Sequence, residues 1–111
     1  MKYAFLLYDD EANGDESEEM MGRWFAVDGE TVSSGVNRGG EALQPVATSR
    51  TVRVRGGKPE VTDGPFAETK EQLGGFYILD VPDLDAAIEW AKKFPNVTSG
   101  SVEIRPVLEM Q

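Results

Sequence analysis

The chain has 111 residues, enough for one domain with a real core and too few for two. It contains no cysteine and no histidine, which excludes a disulfide framework, a thiolate metal site and the commonest general base at neutral pH. With 20 acids against 11 bases the formal charge is −9, a balance that repels phosphate backbones and anionic membranes, so neither nucleic acid nor membrane is expected as a direct partner.

From Lys2 to Tyr8, Tyr3, Phe5 and Leu7 alternate with Ala4, Leu6 and Tyr8. Both faces are apolar, which predicts a central strand covered on both sides. The chain's own helices supply one cover; a second subunit is expected to supply the other, making a homodimer. The apolar run is too short for a secretory leader or a membrane span, and cytoplasmic residence is the expectation. Seven acids follow (Asp9, Asp10, Glu11, Asp15, Glu16, Glu18 and Glu19). They read as a solvated loop and helix start, where the positive end of the helix dipole favours them.

Ser17 is the N-cap of a helix predicted to run to about Ser34, with Gly35 as its stop. Met20, Met21, Trp24, Phe25, Val27 and Val32 fall on one broad arc of it. Asp28 sits near the middle of that arc, where a carboxylate is costly unless partnered. Because Asp28-Gly29 is also a turn pair, the preferred reading unwinds the helix there and leaves the carboxylate wet.

Asn37 to Pro45 reads as a Gly-rich crossing. Ser49 to Arg55 alternates as a strand, Gly56-Gly57 makes a hairpin turn, and Lys58 to Asp63 returns with Val61 in its middle and Pro59 suited to an edge. Gly75 to Val81 is a second strong strand. Asp83 then caps a helix carrying Leu84, Ala87, Ile88, Ala91 and Phe94 at helical spacing. Lys92 and Lys93 close that helix on the side its dipole favours. Ser101 to Val107 is the last strand, with Val102 and Ile104 inward.

The order β-α-β-(hairpin)-β-α-β predicts a single ferredoxin-like α+β domain over residues 1–111: a βαββαβ sandwich with an inserted hairpin. Two helices on one face of its sheet leave the other face apolar and open. Pairing two such sheets closes that face and creates a cavity between sheet, hairpin and partner.

The stretch Asp63-Gly64-Pro65-Phe66-Ala67-Glu68-Thr69-Lys70-Glu71, followed by Leu73-Gly74-Gly75-Phe76-Tyr77, resembles the signature of the DGPF group within the YCII-related (YciI-like) family. The likeness runs through nearly the whole chain in order, from Lys2–Tyr8 to Gly100–Pro106; only the helix from Ser17 to Ser34 and its acidic approach look individual. It implies the dimeric α/β-barrel type of ferredoxin-like fold and, by analogy with the wider group, a small-molecule lyase or isomerase. It also implies an aspartate working with a histidine. This chain has no histidine, so proton transfer would fall to Asp, Glu, Lys, Arg or Tyr. The alternative is a non-catalytic ligand-binding or regulatory module, because DGPF-type proteins are associated with extracytoplasmic-function sigma factors by gene neighbourhood or fusion.

Asp63 is the first catalytic candidate. Gly64 and Pro65 make a rigid turn that would aim Asp63 and Phe66, and a carboxylate beside Phe66 would be partly desolvated. The competing reading is an Asx-turn, with Asp63 bonding nearby backbone N–H groups. Arg53, Arg55 and Arg105, with Arg50 nearby, could hold a small organic anion, or could equally be solvent-facing residues paired with Glu60, Glu68 or Glu103. Phe66 and Tyr77 complete the expected ligand-binding set; Tyr3 and Tyr8 could also offer phenols. Glu68, Lys70 and Glu71 read as a solvated segment. Trp24 with Met20 and Met21 reads as core or dimer seam. No metal-ligand spacing appears, and Gly39-Gly40 and Gly74-Gly75 lack the strand-loop-helix context of a nucleotide fingerprint, so no cofactor is expected.

Overall fold

The computed structural model describes residues 1–110. The central strand is β1 (Lys2–Asp9), which pairs antiparallel on both sides. The remaining elements are α1 (Glu18–Ser33), β2 (Asn37–Ala42), β3 (Arg50–Arg55), β4 (Lys58–Asp63), β5 (Gln72–Asp80), α2 (Leu84–Ala91) and β6 (Ser101–Pro106). Four strands form one sheet in the order β2-β5-β1-β6, and β3 and β4 form a separate hairpin. The four-strand order, with a helix after β1 and another after β5, is the ferredoxin-like arrangement.

Both helices pack on one face of the sheet. Tyr3, Phe5, Leu79 and Val81 meet Val27 of α1 and Ala87 and Ala91 of α2, with Phe94 in their midst. Ser17 Oγ accepts from the Met20 N–H at 3.2 Å and Asp83 Oδ1 from the Ala86 N–H at 2.9 Å, so both predicted caps start their helices. α2 buries alanines where larger side chains would hold the helix off the sheet. Leu84 and Ile88, expected on the inner face, are 50% and 38% exposed, and Phe94 lies beyond the helix end.

Two local expectations are corrected. The Gly-rich crossing is an edge strand, β2, paired with β5 through a bulge between Asn37 and Gly40. Gly40 makes that pairing possible: its φ is +147°, and a Cβ there would lie 2.3 Å from the Phe76 carbonyl oxygen. The second correction concerns α1, which runs unbroken for 16 residues through Asp28-Gly29. Glycine costs a helix interior about 1 kcal/mol. Burial of Val27 and Thr31 on the flanking turns outweighs that.

A second close approach sets up a prediction. A Cβ on Gly100 would lie 2.0 Å from the Tyr8 carbonyl oxygen and 2.9 Å from Asp9 Cα, both backbone atoms of the central strand. Gly100→Ala should therefore lower stability by about 1–3 kcal/mol. A reduced urea midpoint at unchanged slope would register this; an unchanged midpoint would contradict it.

The hairpin leaves the body of the molecule. The chain measures 47 × 42 × 18 Å with a radius of gyration of 15.9 Å. A compact chain of this length has about 13 Å. In the hairpin, Val52 opposes Val61 and Val54 opposes Pro59, so these residues share one apolar face, and the three valines are 59–66% exposed. The outer face of the main sheet carries Ala4, Leu6, Phe76 and Ile78, all half-buried in the single chain.

Candidate functional site

A cleft of about 920 Å³ opens between α1, the loop after β1 and the β2–β5 edge. The arc of α1 that reads as a core stripe forms one wall of it. Met21, Trp24, Phe25, Asp28 and Val32 all line it, and Phe25 is 70% exposed. The amphipathic pattern thus located the right face, but much of that face is turned to a cavity and not to the core. Trp24 still anchors inward, its ring 6.0 Å from that of Phe94.

Asp28 is the polar centre of this wall. The Tyr77 hydroxyl on β5 donates to Asp28 Oδ1 at 2.8 Å, and both residues are part-buried. Tyr77 is held in place by ring packing on Phe94, with centroids 5.2 Å apart. Burial, and then the Asp28 carboxylate, push its phenol well above the ordinary value of 10.0. An acid whose proton is held more tightly in the folded state contributes stability that is complete below the unfolded value and is lost as pH rises through the folded one. Tyr77 is therefore expected to ionise only well above the ordinary phenol range in an alkaline titration followed by phenolate absorbance. Asp28→Asn should bring it down only partway, since burial remains; no movement at all would deny the coupling.

The other predicted residues lie elsewhere. Asp63 ends β4 with its side chain 87% exposed and pairs with Arg50 Nε at 3.0 Å. The desolvation that would have tuned it is absent in the single chain, because the hairpin stands in solvent. Phe66 is 73% exposed, and Arg53 stacks over its ring at 4.6 Å. Together with Thr51, Glu60, Thr62 and Pro65 they line a small recess of about 160 Å³ on the hairpin. Arg55 donates to the carbonyl of its neighbour Val54. Arg105 is on β6, paired with Glu103. Arg53 and Arg55 thus share the hairpin with each other and not with Arg105, and none of the three lines the cleft. Of the expected ligand-binding set, only Tyr77 does; Tyr8 lines it too, whereas Tyr3 is buried in the core.

One cleft residue carries no signal in the sequence. Asn96 is 5% exposed; its Nδ2 donates to the carbonyls of Tyr8 and Ser101, both at 3.1 Å, while its buried Oδ1 has no partner among the described residues. Both partners are acceptors, which fixes the amide orientation. Among the described residues no group of three carboxylates gathers closely enough to hold a metal ion, and no helix is long and apolar enough to cross a membrane.

Fold and cleft together define a small ferredoxin-like α+β protein with a carboxylate–phenol pair on the wall of an open cleft. The model of the YCII-related domain matches residues 1–111, and the chain belongs to that family. It is also similar to an uncharacterised protein of Rhizobium meliloti (strain 1021), 40% identical over 114 residues that cover 96% of this chain and 92% of the relative.

Proposed function

We propose that this protein is a cytoplasmic homodimeric small-molecule enzyme of lyase or isomerase type, and that its working carboxylate is Asp28. The observation that carries this reading is the Tyr77–Asp28 hydrogen bond at 2.8 Å on the wall of the 920 Å³ cleft. Tyr77 occupies Oδ1 and so aims the carboxylate, while Oδ2 accepts no hydrogen bond among the described residues, which leaves it for a substrate proton. In an isomerisation Asp28 would take a proton from one substrate atom and return it to another. In an elimination it would take the proton while the electron pair expels the leaving group. Without histidine, these two side chains are the proton-transfer groups that the cleft brings into contact.

A panel of small molecules tested for turnover and for thermal stabilisation on wild-type, Asp28→Asn and Asp63→Asn proteins decides the assignment. A response lost in Asp28→Asn and kept in Asp63→Asn supports it; the reverse pattern restores the hairpin aspartate. Binding without turnover would favour the non-catalytic module, for which a sigma-factor gene beside this one is the cheap companion observation.

The homodimer is supported by the two uncovered apolar surfaces, on the hairpin and on the outer face of the main sheet. An isolated two-stranded hairpin is marginal in water, so one standing clear of its own domain calls for a partner. Light scattering should give twice the chain mass at micromolar concentration. Val52→Glu with Val61→Glu should give a folded monomer. A wild-type monomer would overturn the proposal.

A further inference from the structure

We propose that the cleft is built for an organic cation with an apolar body, such as a primary ammonium on an aromatic or aliphatic frame. This inference rests on the reading of the α1 cleft as the functional site and names its ligand class. Seven carboxylates line the cleft, and neither a lysine nor an arginine does. Most of the seven are committed to the fold. Asp9 accepts from the Asp10 N–H and the Ser99 hydroxyl, Asp10 caps the short turn at Glu11–Asn13, Asp15 accepts from Ser17 N–H, and Glu11 from Val46 N–H. Asp28 differs. It sits among Trp24, Phe25, Met21 and Val32, it has no cationic partner among the described residues, and one of its oxygens is free.

A half-buried carboxylate without a cation costs free energy that a bound ammonium would recover. The aromatic wall adds to the same preference, because the faces of Trp24 and Phe25 attract cations and cover apolar frames equally well. An ammonium has three N–H donors and no acceptor, matching a site that offers acceptors. An anion would meet the surrounding negative potential with no lining lysine or arginine to receive it.

The test is calorimetric titration with matched triplets, each an ammonium, its alcohol and its carboxylate on one frame: benzyl, phenethyl and cyclohexylmethyl. The ammonium should bind about ten-fold tighter than the alcohol. The carboxylate should bind more weakly than either, and the ammonium preference should shrink with added salt. Asp28→Asn should abolish the difference between ammonium and alcohol while leaving alcohol binding in place. Asp28→Asn with unchanged thermal unfolding keeps the comparison clean. Alcohol binding as tight as ammonium binding, or tighter carboxylate binding, overturns the cation inference and leaves the cleft standing. No binding by any member of any triplet overturns both the inference and the cleft.

Discussion

Phe94→Ala is expected to lower stability by about 3–5 kcal/mol. Phe94 is 1% exposed, and three rings converge on it: Phe5 at 5.8 Å, Trp24 at 6.0 Å and Tyr77 at 5.2 Å. The strand, the helix and the cleft wall are thus joined through one side chain that belongs to none of them. Truncation would open a void among these three rings. A single domain of this size has about 5–15 kcal/mol in all, so the variant would lose a large share of it. Urea denaturation should show a lower midpoint at unchanged slope. Phe94→Leu, which keeps most of the volume, should recover more than half of the loss. The same truncation should loosen Trp24 and Tyr77, and ligand binding at the cleft should weaken beyond what unfolding alone explains. A midpoint within experimental error of wild type would mean that the aromatic cluster repacks freely and is not the keystone of the core.

Much of the fold was legible because it is written locally. The alternation from Lys2 to Tyr8 has a period of two with apolar residues on both faces, and it became the sheet's centre. Ser17 and Asp83 cap where their side-chain chemistry says they should. β2 was not legible, because Asn37–Ala42 has glycines and charges in place of β-formers. Its strand character comes from pairing with β5, which a local pattern does not report. Asp28 was half legible. A carboxylate on an apolar arc announces a cost, but its relief lies in Tyr77, 49 residues away. The Asp-Gly turn preference is local and reports neither that partner nor the burial that holds the helix together. Asp63 shows the opposite limit. Its rigid turn is local and real, with Gly64 at φ +96°, yet rigidity does not say what surrounds a side chain. Asn96 had no local signal, because its role is set by the Tyr8 carbonyl 88 positions earlier.

For any compound that the protein turns over, Asp28→Asn should lower kcat/KM by about 10²–10⁴-fold, the usual worth of a positioned general base. The substitution keeps the size and the acceptor oxygen, so the Tyr77 hydroxyl retains a partner and the fold should survive. It removes the carboxylate oxygen that the Tyr77 hydroxyl does not occupy. If Asp28 acts on a proton in flight, the loss falls mainly on kcat; if it only holds substrate, KM rises and kcat stays. Tyr77→Phe makes the complementary cut. It leaves the carboxylate but frees it to rotate, so its effect should be smaller than that of Asp28→Asn, and the double variant should lose little beyond Asp28→Asn alone. Asp63→Asn should remain within about two-fold of wild type, as exposed surface changes do. The ordering distinguishes the two aspartates even before the substrate is known in detail. A kcat/KM that survives Asp28→Asn and collapses in Asp63→Asn would move the chemistry to the hairpin, and would imply that a second subunit covers Asp63 in solution.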